Sequence, residues 1–331
     1  MNAIGKSTMK AIVQTEYGSP EVLALKEIDR PEIGADDLLV RVQAGGVDRG
    51  VWHLMTGRPY LLRIMGFGLR APKARVRGAE VAGQVVALGK NVTDFKIGDE
   101  VFGTCEGSFA EYACAPAQRF VRKPVSLSFV QAAAVPISAA TALQALRNVG
   151  GLKSGQKVLI IGAAGGVGTF AVQLAKALGA EVTGVCSTAK VDLVRSLGAD
   201  AVIDYTRADC VDGAHRYDLI LDTGGNRAVA HLRRALTPHG TLVIVGGEGG
   251  GRWFGGIGRQ FGAMLLSPFI GQKLRTLFAI PHRDDLQYLA QLIEAGKLAP
   301  VIDRTYPLPD TPEAIRHLER GHISGKLVIT V

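Results

Sequence analysis

The chain has 331 residues, 47% of them hydrophobic and 21% charged, with a formal net charge of +8. That length suits two domains better than one core, and the charge suits an anionic partner. A phosphorylated cofactor meets that demand economically, whereas nucleic acid asks for a denser basic stripe, so no nucleic-acid partner is expected. No apolar run reaches the ~18–20 residues of a bilayer span; the nearest, 261–280, is broken by Pro268, Gly271, Lys273 and Arg275. The opening MNAIGKSTMK lacks the apolar core of a signal peptide, so the expectation is a cytoplasmic protein without membrane insertion. Cys105, Cys114, Cys186 and Cys210 form no close CxxC pair and read as reduced side chains, not a disulfide framework.

In chain order, the first third is β-rich. Lys10–Gln14, Leu38–Gln43, Glu80–Leu88, Glu100–Phe102 and Phe109–Ala115 have strand character with Gly at the breaks, and Pro116 and Pro124 are expected to end pairing beyond them. Ser128–Val149 is rich in Ala and Leu and reads as helix. Apolar strands and helical stretches then alternate: Val158–Ile161, Thr169–Leu178, Val182–Val185, Val191–Leu197, Ala201–Ile203, Asp218–Leu221, Ala228–Leu236 and Thr241–Val245. Such alternation marks a parallel sheet covered by helices. Arg275–Ile280 fits a last strand and Asp284–Gly296 a helix. Short β-like pieces, Val301–Pro307 and Lys326–Val331, then flank the helix Pro312–Arg320. A tail of that kind, returning to the first domain, would close a cleft.

The sharpest motif is the turn Ala163-Ala164-Gly165-Gly166-Val167-Gly168 between the strand Val158–Ile161 and the helix Thr169–Leu178. Residues without Cβ let the backbone approach a pyrophosphate, and the helix N-terminus offers free N–H groups and a partial positive charge. Ala163 stands where GxGxxG has its first Gly. Strand, turn, helix and next strand nevertheless fall in the order of a dinucleotide fold. An NAD site ends its second strand in Asp or Glu; here that strand runs into Cys186-Ser187-Thr188-Ala189-Lys190. Hydroxyls and a cation in place of the acid welcome the 2′-phosphate of NADPH, although a lone Lys is equally at home as a solvated helix residue.

The segments AEVAGQVVALGKNVTDFKIGDEVFG (79–103), VLIIGAAGGVGTFAVQLAKALGA (158–180) and GKLVITV (325–331) resemble the medium-chain dehydrogenase/reductase superfamily over nearly the whole chain. The resemblance implies an α/β protein. In it a GroES-like β-rich catalytic domain (1–126 and 282–331) is split around a Rossmann domain with a doubly wound parallel sheet (127–281). Zinc members draw ligands from stretches matching Gly45-Gly46-Val47-Asp48, Gly78-Ala79-Glu80 and Ala134-Val135-Pro136-Ile137. The Cys is missing here, Ala79 replaces the His, and Glu80 alone cannot make a tetrahedral site. The four-cysteine structural lobe is absent too. The chain therefore resembles the zinc-independent quinone oxidoreductase branch, whose members pass a hydride from NADPH to quinones or activated enones. In that branch Ser187, Lys190 and Tyr205 match the 2′-phosphate region, and Gly165, Gly166 and Val167 match the pyrophosphate. Thr141, Gly246 and Gly247 match the nicotinamide side, and a homodimer is implied.

By the same analogy Asp48 and His53 face the substrate cleft, although the branch commonly carries an Asn at the first position and an aromatic near the second. Asp48 either orients the nicotinamide amide, shuttles a proton or caps a turn. His53 either protonates the enolate or packs on Trp52, and Tyr60 is a third donor candidate. Solvent is an alternative source of the proton. Arg58, Arg63, Arg70, Lys73, Arg75 and Arg77 form a basic run without an acid, which reads as a solvated loop or as a lid recruiting an anionic substrate. The segment 246–280 reads as a substrate mouth or a subunit contact. Two other functions stay open: an enoyl-thioester or alkenal double-bond reductase, and a weakly catalytic NADPH-binding sensor or nucleic-acid-binding protein.

Overall fold

The computed structural model describes residues 7–225, 227–247 and 251–331. The start of the N-terminal decapeptide and residues 248–250 of the 246–280 segment lie outside the described residues. The elements run β1 (Thr8–Val13), β2 (Ala24–Asp29), β3 (Asp37–Val47), α1 (Arg49–Thr56), β4 (Glu80–Leu88), β5 (Glu100–Thr104), β6 (Tyr112–Pro116) and β7 (Phe120–Arg122). Next come α2 (Phe129–Ala133), α3 (Pro136–Leu143), β8 (Lys157–Ile161), α4 (Gly166–Ala177), β9 (Glu181–Cys186), α5 (Val191–Ser196), β10 (Ala201–Asp204) and β11 (Tyr217–Asp222). The rest are α6 (Val229–Arg233), β12 (Leu236–Ile244), α7 (Ile257–Leu266), β13 (Lys273–Thr276), α8 (Arg283–Glu294), β14 (Ile302–Pro307), α9 (Thr311–Arg320) and β15 (Lys326–Thr330).

The chain divides into two compact units, one of Met1–Ile137, Pro281–Glu294 and Ile302–Val331, the other of Ser138–Ile280 and Ala295–Val301. The first holds a seven-stranded sheet ordered β14-β15-β3-β4-β5-β7, with β6 also on β3. Strand β3 is long because its residues alternate, burying Leu38, Val40 and Val42 against Val81, Val85, Val101 and Phe120. The C-terminal β15 joins its other edge, antiparallel, with Val328 opposite Gly46 and Leu327 opposite Val47.

The second unit is a six-stranded sheet ordered β10-β9-β8-β11-β12-β13, parallel throughout. Strands covered on both faces read as continuous apolar runs, and Val158, Leu159 and Ile160 of β8 are fully buried. Helix α4 supplies Phe170, Val172 and Leu174 to that interior. The order reverses between β8 and β11, which in such sheets is where the ligand crevice opens beyond the carboxyl ends.

Several expectations are corrected. Pairing does not end at Pro116, because β7 follows it; a Pro tolerated at a strand end need not stop the next strand. Ser128–Val149 is not one helix. Pro136 starts a new one, and Gln144–Val149 is a wider turn. The last strand of the parallel sheet is Lys273–Thr276 and not 275–280. Helix α4 begins at Gly166, so two glycines assigned to the turn belong to its first turn.

Candidate functional site

The Gly-rich turn expected to hold the cofactor phosphates grows out of β8. Gly162 has φ +80, a backbone that favours glycine, and its N–H and that of Ala163 both donate to the Val185 carbonyl of β9, at 3.2 and 3.0 Å. The chain folds back as the Gly165 N–H donates to Gly162 O at 3.0 Å. Gly168 then passes so close that a Cβ there would collide with the Gly162 carbonyl oxygen and lie 2.8 Å from the backbone of Ala163. Gly165, by contrast, has only Gly162 O at 3.4 Å near its missing Cβ. Gly165 is the N-cap of α4 and supplies no side-chain cap. The first N–H groups of a helix have no partner within it; those of Gly166 and Val167 stand at this uncapped end beside the open flank at Gly165. A pyrophosphate fits that cradle.

Three of the residues expected at the cofactor gather at the ends of neighbouring strands. Ser187 is extended at the end of β9, and its carbonyl accepts from Lys190 N at 2.9 Å across a single turn. Tyr205 follows β10, donates its N–H to Cys186 O at 3.0 Å and is 54% exposed. The sequence reading missed a carboxylate here: Asp204 ends β10 opposite Cys186. Its oxygens are taken by the Thr188 hydroxyl at 2.6 Å and by Thr206 N and Oγ1 at 3.0 and 2.8 Å, with Arg207 at 3.5 Å. Those donors hold its pKa below the usual carboxylate value, the Thr188 hydroxyl first.

Thr141 lies buried on α3 in the same unit, apart in sequence from those ends. Gly246 follows β12, its N–H donating to Asp222 O at 3.3 Å; any side chain there would strike the Thr223 carbonyl. Gly247 packs on the backbone of Gly256, where a Cβ would stand 2.8 Å from the Gly256 Cα. A second unforeseen feature fixes this corner. The fully buried Asp222 at the end of β11 accepts from Gly224 N and Gly225 N, at 3.2 and 3.0 Å, and from Arg259 of α7 at 2.5 Å.

Asp48, His53 and Tyr60 lie in the first unit, on α1 and the chain leaving it. Asp48 caps α1, its Oδ1 accepting from Val51 N at 3.2 Å, while Oδ2 is buried and accepts from no group among the described residues. His53 is one turn further on, with Nδ1 2.8 Å from Arg58 O and its ring edge-on to Trp52. A carbonyl partner requires the proton on Nδ1. The Arg63 guanidinium stands 4.7 Å from the Tyr60 ring. Beside Asp48 the sheet buries an ion pair. Glu80 of β4 and Lys326 of β15 are 0% and 2% exposed. Glu80 Oε1 accepts from Ile137 N at 2.8 Å, and the Lys326 ammonium donates to Oε2. Burial pushes the Glu80 carboxyl up to about 7, with Lys326 pulling it down and Asp48 adding to the rise.

Against known proteins, the family model described as an alcohol dehydrogenase GroES-like domain matches residues 34–125, and one described as a zinc-binding dehydrogenase matches 197–329. The mitochondrial NAD(P)H oxidoreductase RTN4IP1 of Bos taurus is 34% identical over 98% of this chain and 90% of its own length. The 2-methylene-furan-3-one reductase of Solanum lycopersicum is 32% identical over 97% of this chain and 79% of its own. The quinone oxidoreductase structure from Coxiella burnetii superposes with a TM-score of 0.87 at 29% identity, covering 98% of this chain and all of that one. The chain belongs to the medium-chain dehydrogenase/reductase superfamily, in its quinone oxidoreductase-like branch.

Members of this superfamily divide by whether they hold zinc, and the second family model carries zinc in its description. The residues present do not fit the metal. Both Glu80 oxygens are engaged, one by Lys326 and one by Ile137 N–H. Gly46 and Ala79 bring no ligand atom, and Gly46 lies so close to the Glu80 carboxylate that any side chain there would overlap it. Among the described residues no three His, Cys, Asp or Glu side chains gather as a metal group. An ammonium, not a metal ion, faces the Glu80 carboxylate. The signal was a lone cation at the head of the apolar strand Lys326–Thr330, too weak to read without its partner 246 residues away.

Proposed function

We propose that the chain is a zinc-independent, NADPH-dependent reductase of quinones and α,β-unsaturated carbonyls. The carrying observation is the cradle at Gly162–Gly168, a switch-point turn whose uncapped helix end and missing Cβ atoms leave room for a pyrophosphate. Ser187, Lys190 and Tyr205 at the ends of β9 and β10 favour the 2′-phosphorylated cofactor. The one acid there, Asp204, is spent on Thr188 and Thr206. When bound, the cofactor supplies a hydride. The chain's own work is to seat it, with Gly165, Gly166 and Val167 on the phosphates and Thr141, Gly246 and Gly247 on the nicotinamide side.

Reduction of a conjugated carbonyl adds a hydride at the far carbon and leaves an enolate or quinol oxygen that takes a proton. The His53 imidazolium is one donor, giving its Nε2 proton while Nδ1–H stays on Arg58 O, and the Tyr60 phenol is another. Asp48 orients the amide through its unengaged Oδ2. Conjugation spreads the developing charge over oxygen, so hydrogen bonds can stabilise it without a Lewis acid. The four cysteines stand unpaired, which accords with a reducing compartment such as the cytoplasm. A homodimer belongs to the same reading, supported by the edge strand β13 and the exposed Phe261, Leu265 and Phe269 beside it. No described helix is long and apolar enough to cross a membrane.

The test is NADPH oxidation followed at saturating cofactor with a quinone, an enone and an enoyl thioester. Turnover of the first two is expected. Binding of NADPH without turnover of any of the three overturns the reading in favour of a cofactor-binding sensor.

A further inference from the structure

Arg77 closes the basic run that the cofactor reading left without a role. It is only 4% exposed, yet its Nε and Nη2 are buried and donate to no group among the described residues. Those two nitrogens form one edge of the planar guanidinium, the fork that matches the two oxygens of a carboxylate. The residue is held rigidly from its backbone, its N–H donating to Ile12 O at 3.2 Å and its carbonyl accepting from Phe109 N at 2.9 Å. Burial lowers its pKa, and the groups opposing that are Glu106, which is exposed, and Tyr17. A buried guanidinium with an open fork opposes folding unless something later fills it.

The surroundings connect this fork to the residues assigned to the substrate. Tyr17 feels both Arg63 and Arg77. The Arg63 guanidinium lies 4.2 Å from the Tyr17 ring and 4.7 Å from that of Tyr60, anchored by the carbonyls of Gly57 and Thr56 at 2.9 and 3.2 Å. Gln14 of the same unit donates to Met55 O of α1 at 2.7 Å and keeps a buried Oε1 that accepts from no group among the described residues. Two cations and two phenols therefore stand together in the first unit.

We infer that the Nε/Nη2 edge of Arg77 receives a carboxylate carried by the acceptor substrate, so that the preferred acceptors are conjugated keto acids. This rests on the reductase reading above. The fork lies out of solvent, so a carboxylate bonded there is shielded from competing water.

Acetylacrylate, a conjugated keto acid, and its methyl ester make a matched pair of acceptors. The acid-to-ester ratio of kcat/KM is expected to fall about ten- to a hundredfold in Arg77→Leu, the range for charge-assisted bonds. Arg77→Lys, which keeps the charge but not the fork, should lose most of that ratio as well. The apo form of Arg77→Leu should melt at a higher temperature than the native protein, because an unpaired charge has gone. An unchanged ratio in both variants overturns the inference. So does a melting-temperature coupling between Arg77→Leu and Glu106→Gln, which would mean that Glu106 fills the fork. If neither acceptor is reduced, the reductase reading fails, and levulinate, the saturated analogue, decides the fork alone. It should raise the melting temperature of the native protein and not of Arg77→Leu, and equal shifts overturn the inference.

Discussion

Lys190 stands in a small electrostatic contest at the end of β9. Lys190 and Arg195 act on the neighbouring Cys186 thiol against Asp204, and Arg207 reaches that same carboxylate. A dianionic 2′-phosphate is attracted by the cations of this balance, whereas a bare ribose has little to gain from them. Lys190→Ala should therefore raise the KM for NADPH by about tenfold, one charge-assisted contact, and leave that for NADH nearly unchanged. Equal increases for both cofactors would remove Lys190 from the phosphate site. Glu80 supports a second argument at this scale. Burial raises its carboxyl from 4.5 to about 7, so the folded state holds a proton that the unfolded chain releases. Its contribution to stability is complete below about 4.5 and fades as the pH rises to about 7. Glu80→Gln should flatten the stability–pH curve across that window, read by urea unfolding at a series of pH values. A curve that keeps the native slope would mean that Lys326 holds Glu80 ionised throughout.

At the scale of elements, the β8–turn–α4 unit separates glycines that shape the backbone from those that leave room for a ligand. Gly168→Ala drives a Cβ into the Gly162 carbonyl; it should cost about 1–3 kcal/mol of stability, the range for overpacking, and weaken NADPH binding with it. Gly165→Ala meets only Gly162 O at 3.4 Å, with φ −83 that alanine accepts. It should keep the native melting temperature and still raise the NADPH Kd, measured by cofactor fluorescence. If both variants lose stability alike, the turn is a packing device and not a cradle. This unit was legible because its signal is local: an apolar strand, glycines and a helix within about twenty residues. The split of 128–149 at Pro136 was legible in principle, since Pro favours a helix start. What stayed hidden were pairings across sequence. Lys326 with Glu80, Arg259 with Asp222 and Thr188 with Asp204 each join segments that only the fold brings together. Helix α1 escaped because its eight residues RGVWHLMT include a glycine and a β-branched valine, a composition with little helical preference.

For the molecule as a whole, the contrast that bears on the proposed chemistry is between a family model described as a zinc-binding dehydrogenase and a donor set that does not fit zinc. A tetrahedral site needs three protein ligands free to turn toward one point. Here the one carboxylate in position is bound by an ammonium and a backbone N–H, and its neighbours are Ala79 and Gly46. On the zinc-independent reading only hydrogen bonds stabilise the developing oxyanion, which favours an acceptor whose charge is spread by conjugation, so reactivity should follow conjugation. Ethanol with NADP+, and acetone with NADPH, should give no measurable turnover, while a quinone and an enone are reduced. Elemental analysis of the purified protein should find well under one zinc per chain, and enone reduction should survive prolonged chelation unchanged. The two measurements check each other. Zinc at one equivalent, with activity lost on chelation and restored by zinc alone, would show that Lys326 yields its place to the metal.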